Sequence, residues 1–137
     1  MVRGRPEPDP RLVQQVADLA LSLPAAYEED AWTGVRWRVR KRTFAHVAAM
    51  RHVDAAEKLG ITDGRTVTII IVRSTGAERA ALTAIGPPYL PSWGDDVLAV
   101  VLDAINDWTE VAELIAQRYR MLAPAGLVRV LDAPQHQ

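Results

Sequence analysis

The chain has no cysteine. That excludes disulfides, thiolate zinc sites, iron–sulfur ligation and cysteine nucleophiles. Long apolar runs are also missing. The longest, VTIIIV at Val67 to Val72, is strand length and far short of the roughly 18 residues of a membrane span. The opening MVRGRPEPDP has no apolar core of the kind a secretory signal needs, so the expected location is cytoplasmic. Catalytic signatures are missing too. Ser22, Ser74 and Ser92 stand in no Gly-x-Ser-x-Gly context, and no phosphate-loop sequence occurs. The expectation is a protein that is not an enzyme and carries no cofactor.

What remains is enough for one domain: 137 residues, 49% hydrophobic and 24% charged. A chain of this length buries about two-thirds of its unfolded surface and folds alone. Residues 1–8 are polar with two prolines and are expected to form a disordered arm. Residues 9–132 form the domain, and residues 133–137 a frayed tail.

The net charge of −1 conceals an uneven distribution. The basic residues are fourteen arginines and two lysines, Lys41 and Lys58. Six of them, Arg36, Arg38, Arg40, Lys41, Arg42 and Arg51, lie between Thr33 and Val53 with no acid among them. Between Asp95 and Glu113 the pattern inverts, with six acids and no base. A local basic face, more than the overall charge, is the electrostatic footprint of a phosphate-binding protein.

Periodicity supplies the elements. Asp9-Pro10 reads as a helix cap followed by proline in the first turn. Leu12, Val16, Leu19, Ala20 and Leu23 then repeat at helical spacing up to Pro24. Ala25 to Thr33 reads as an acidic loop. VRWRVR at Val35 to Arg40 alternates with period two, which predicts a strand burying Trp37 and Val39. A turn at Lys41-Arg42 leads to a second strand, Thr43 to Met50. Residues 51–65 read as a loop with one helical turn. Thr66 to Val72 and Val97 to Leu102 are apolar strands. Thr75-Gly76-Ala77-Glu78 resembles a capping box that opens a helix to Ile85. Asp107 to Glu110 caps a last long helix whose stripe is Val111, Leu114, Ile115, Tyr119 and Leu122. Leu127 to Leu131 has no assignment. The expected core is Trp37, Val39, Phe44, Val67, Ile69, Ile71, Leu98, Val100 and Ile115. Hairpins plus covering helices make an α+β two-layer sandwich.

Four stretches in this order resemble the MmcQ/YjbR family: LALSLPAAYEEDAW at Leu19 to Trp32, VRWRVRKRTFAHV at Val35 to Val47, the helix from Ala77 to Ile85 with PPYLPSWGDDVLAVVLD behind it, and WTEVAELIAQRYRMLAP at Trp108 to Pro124. The resemblance implies a CyaY-like fold, with helices packed on one face of a mainly antiparallel sheet. It also implies a DNA-binding role through a double-wing motif, and it brings no catalytic residues. Arg40-Lys41-Arg42 stands where the family has a Gly-Lys turn, and His52 to Arg65 resembles a lengthened loop.

Candidate binding residues are therefore Arg36, Arg38, Arg40, Lys41 and Arg42. Alternation places the first three on one sheet face about 6–7 Å apart, with Lys41 and Arg42 at the tip. Guanidinium forks suit phosphate, and a β-wing can follow a nucleic-acid backbone without reading sequence. The competing reading is a solvated face neutralised by the Asp95 to Glu113 acids, should their strand be adjacent. In either case Lys41 and Arg42 are expected free, with at least one of the other three paired to a carboxylate.

A second class of function is a protein-interaction or small-ligand module. Tyr89 and Trp93, beside Pro87-Pro88, would line its groove, with an unknown protein or a second copy as partner. No metal site is expected. His46 and His52 lack ligand spacing, Asp95-Asp96 read as turn residues, and the first helix has only Asp18 in place of an acidic ridge that could take iron. Ser74-Thr75-Gly76 beside Arg73 suggests a phosphate seat on a helix N-terminus. Ordinary capping accounts for the same residues.

Overall fold

The structure is a computed structural model that describes residues 6–91 and 94–133. Helix α1 spans Pro10–Leu21. The Asp9 carboxylate accepts from the Arg11 N–H, which satisfies one orphan donor, and Pro10 fills the first turn. The Asp9 N–H donates to Thr68 Oγ1 at 2.9 Å and so ties the start of the helix to the sheet. Val16, Ala17 and Ala20 form its buried stripe.

The strands are β1 (Tyr27–Asp30), β2 (Val35–Val39), β3 (Arg42–Met50), β4 (Val67–Arg73), β5 (Tyr89–Pro91) and β6 (Val97–Val101). They form one antiparallel sheet in the order β1-β2-β3-β4-β6-β5. The β1–β2 connection requires a glycine. Gly34 has φ of +76°, and a Cβ there would stand 1.8 Å from the Val47 carbonyl oxygen.

A bulge shapes β3. Trp37 pairs with Ala45 and Arg38 with Thr43, so Phe44 is the extra residue. Phe44 and Ala45 both enter the core, and the Phe44 ring meets Tyr119 edge-on at 5.5 Å. Tyr119 lies on α4 (Trp108–Leu122) and is fully buried. Its hydroxyl donates to the Pro24 carbonyl at 2.6 Å, which ties α4 to the end of α1. Burial raises the Tyr119 pKa, while the Arg40 charge acts in the opposite direction.

The sheet buries both faces. Trp37, Val39, Ile70, Val72, Leu98 and Val100 meet α1 and α4. Leu82 of α3 (Gly76–Ile85), and Leu127 and Leu131 of α5 (Ala125–Asp132), pack against the same cluster. The opposite face carries Met50, Val67, Ile69, Ala99 and Val101, covered by Ala55 and Leu59 of α2 (His52–Leu59). The α+β arrangement is as expected, with two layers and a small cap on the reverse side. No helix among the described residues is long and apolar enough to cross a membrane.

Several local readings are corrected. Ala25 to Thr33 is not all loop: Tyr27–Asp30 is edge strand β1, whose acids hide the apolar alternation of a buried strand. The hairpin turn is Arg40-Lys41, and Arg42 already belongs to β3, paired with Val39. Residues 52–59 form a full helix, ended by Gly60 at φ of +71°. Leu127 to Leu131 lies inside α5. On β4 the helix-facing residues are Ile70 and Val72; Val67 and Ile69 are buried on the reverse face, and Ile71 is only half-buried. An unbroken apolar run has no parity to read.

Candidate nucleic-acid interface

The hairpin of β2 and β3 carries the basic residues. Antiparallel register sets Glu29 of β1 directly opposite Arg36. The Glu29 carboxylate accepts from Arg36 at 2.6 Å and from Arg38 at 3.3 Å. Its pKa is lowered, first by the Arg36 hydrogen bond and then by the charges of Arg36 and Arg38, against an opposing desolvation. Arg38 also donates to the Lys41 carbonyl, so one guanidinium laces the strand to its own turn. Trp37, on the other face, donates its indole N–H to Glu28 at 3.0 Å. The acids next to the arginine row are thus those of β1. The Asp95 to Glu113 stretch is not adjacent, because β6 lies beyond β3 and β4 from β2.

Arg40 and Lys41 form a two-residue turn with φ of +49° and +68°. That is the type I′ geometry, for which Asn-Gly is the low-strain sequence. Arg40 therefore leaves the strand ladder and does not share the face of Arg36 and Arg38, as simple alternation would have it. Arg40, Lys41 and Arg42 are all exposed, and none has an ion-pair partner among the described residues. Placing two cations in left-handed conformations costs about 1–2 kcal/mol each. Strain of this kind collects at functional sites.

Below the tip the sheet opens. The β3–β4 ladder runs only from His46↔Ile71 to Met50↔Val67, so Arg42–Ala45 and Val72–Arg73 do not pair with each other. The result is a cleft of about 750 Å³, with Lys41 and Arg42 on one wall, Arg73 on the other, and Phe44 and Leu122 among its lining. Arg73 donates to Asp96 at 2.8 Å, with both side chains more than half exposed. An exposed pair of that kind is worth about 0–1 kcal/mol and yields readily to a phosphate.

Behind Arg73, Arg118 of α4 is almost wholly buried and donates to Glu78 of α3. Ser74 donates to the same Glu78 oxygen at 2.6 Å. The expected capping box is absent, since the Thr75 side chain caps nothing and Glu78 turns to Arg118. Sequence reading named Arg73 only beside the Ser74-Thr75-Gly76 helix start, not with the hairpin, and missed Arg118. Arg118 was visible in principle, because it stands between Leu114 and Leu122 at spacings of four, inside the apolar stripe of α4.

Profile comparison places residues 21–121 within one family, described as YjbR. The chain belongs to the YjbR family. Among solved structures, a structural-genomics protein from Pseudomonas syringae superposes with a TM-score of 0.61. The match spans 79% of this chain and 96% of that one at 18% identity, which establishes a shared fold. No curated protein matches the chain. Of the two residues named for the second candidate region, only Tyr89 lies within the described residues. Tyr89 is half-buried with its hydroxyl donating to Glu110 at 2.9 Å, and Trp93 lies outside the described residues. The Tyr89 pKa is raised by burial and by Glu110. Trp32 is instead the most exposed tryptophan described, at 81%. His46 meets the Thr33 carbonyl through Nε2, a structural contact. Among the described residues, no three histidine or carboxylate groups converge to hold a metal ion.

Proposed function

We propose that this YjbR-family protein binds the phosphate backbone of DNA through the β2–β3 hairpin tip, with little sequence preference. The observation that supports the reading is that Arg40, Lys41 and Arg42 have no ion-pair partner among the described residues, and that Lys41 and Arg42 line a cleft faced by Arg73, whose partner Asp96 is the one acid in the lining. The guanidinium forks of Arg40 and Arg42 and the point charge of Lys41 are what phosphate recognition uses. Arg36 and Arg38 are secondary contacts, since Glu29 already neutralises part of their charge. The cleft walls offer phosphate oxygens positive charge from two sides, Lys41 and Arg42 on one and Arg73 on the other.

The test is fluorescence anisotropy with a random-sequence duplex over a salt series. Wild-type binding should weaken linearly in log–log form as phosphate contacts release counterions. Arg40→Asn with Lys41→Gly should remove most of the binding and flatten the salt slope. Unchanged affinity in that double variant overturns the assignment.

A further inference from the structure

A second site lies on the far side of Glu78, and its chemistry is opposite to that of the hairpin. Between α3, β5, β6 and α4 is a groove of about 250 Å³. Leu82, Val100, Ile105 and Leu114 supply apolar lining, and Tyr89 contributes its ring. Glu110 and Glu113, one turn apart on α4, stand at the same groove. Neither carboxylate has an ion-pair partner among the described residues, and Glu110 accepts only from the Tyr89 hydroxyl. Glu78, the third acid of the lining, is already matched by Arg118. The groove thus joins an apolar surface to two uncompensated negative charges. It also gives a role to the base-free acidic stretch that the arginine hairpin leaves unused.

Charge complementarity selects the occupant. A bare metal ion does not suit the site, because these carboxylates do not converge with a third ligand. A polyanion is repelled. We propose that the groove binds a small organic cation: an amine with a compact apolar or aromatic body, its ammonium held at Glu110 and Glu113 and its body on Leu82 and Leu114. The Tyr89 ring adds a cation–π contact of the kind that ammonium ligands use. At about 250 Å³ the groove falls just below the usual small-ligand range of about 300 Å³ and upward, which suits a compact amine. This site is independent of the nucleic-acid reading.

The experiment uses the full chain, 2-phenylethylamine as probe and heteronuclear NMR as readout. Expected shifts centre on the amides of Leu82, Tyr89 and Leu114. The neutral analogue 2-phenylethanol should bind at least tenfold more weakly. Glu110→Gln with Glu113→Gln should bring the amine down to the affinity of the alcohol, while Arg40→Asn with Lys41→Gly leaves amine binding unchanged. Equal binding of amine and alcohol, or shifts centred elsewhere, overturns the proposal. So does a lysine-rich peptide that binds the groove tenfold more tightly than the amine, which would mark a protein partner. Groove signals that change with protein concentration alone would show a second copy seated there, and that result overturns it as well.

Discussion

Arg118 and Glu78 join α4 to α3 through an ion pair whose cationic side is only 4% exposed and whose acidic side is 38% exposed. The asymmetry decides what each deletion does. Removing Glu78 strands a guanidinium in the core, where its Nε already lacks a partner among the described residues. Glu78→Gln should therefore destabilise the fold by roughly 1–3 kcal/mol, less than for a fully buried pair because water reaches the Glu78 side. Arg118→Met keeps the volume and removes the buried charge, so it should cost less than Glu78→Gln. Urea denaturation of the two variants decides the order.

Acid stability follows from Glu78 and from Asp132, at the end of α5, which pairs with Arg120 of α4. Glu78 is lowered from its ordinary value of 4.5 mainly by the Arg118 hydrogen bond, and Asp132 from 3.8 mainly by the Arg120 hydrogen bond. A carboxyl with a lowered folded-state pKa contributes stability that is complete above its unfolded value and lost as pH falls through the folded one. The melting temperature should hold steady from pH 7 to about 5 and fall below the ordinary carboxylate range near 4. In Glu78→Gln the acid slope should be shallower. A melting temperature that declines between pH 7 and 5 would contradict this assignment of the titrating groups.

The hairpin tip sets stability against binding. Arg40→Asn with Lys41→Gly installs the sequence that a type I′ turn favours, so the melting temperature should rise, with a gain on the order of 1 kcal/mol or more. DNA affinity should fall in the same protein. Parallel thermal melts and anisotropy titrations show whether the two move in opposite directions.

Glu29→Gln tests the restraint on the arginine row. Losing the carboxylate frees Arg36 and Arg38, both of which it holds. DNA binding should tighten several-fold, and the salt slope should steepen by about 1–2 as up to two more phosphates are contacted. An unchanged slope would show that the row never reaches the backbone.

Gly34→Ala is expected to be the most damaging single methyl in the chain. The added carbon meets backbone at 1.8 Å, and the residue also needs a positive φ. Loss of about 3 kcal/mol or more is expected, read as a low yield of folded protein or a large drop in urea midpoint. Gly64→Ala, where nothing lies within 4 Å of the added carbon, should be far milder.

How much of this was legible depended on whether one residue pattern had one structural solution. The alternation of Trp37 and Val39 with Arg36 and Arg38 has one, and the strand and its buried side followed from it. The Asp9-Pro10 start of α1 and the stripe of α4 were equally readable. Tyr27–Asp30 was not, because an edge strand rich in acids carries the signals of a loop. The turn was displaced by one residue because Arg40 and Lys41 occupy a conformation that local preference assigns to Asn-Gly. The free tip was foreseeable from charge order, whereas the cleft depends on where the β3–β4 ladder stops. No local signal marks that point.

The two outer strands of the sheet have a consequence for self-association. One flank is Tyr27–Asp30, with three consecutive acids; the other is Tyr89–Pro91, three residues long and ending in a proline. Charge repels a like strand on the first side, and brevity with a missing N–H limits pairing on the second. Both borders carry features that natural sheets use against edge-to-edge pairing, so sideways extension of the sheet by further copies is disfavoured. Self-association is then left to the helices and the exposed loops, and a concentrated solution should show little fibre growth, which thioflavin T fluorescence checks.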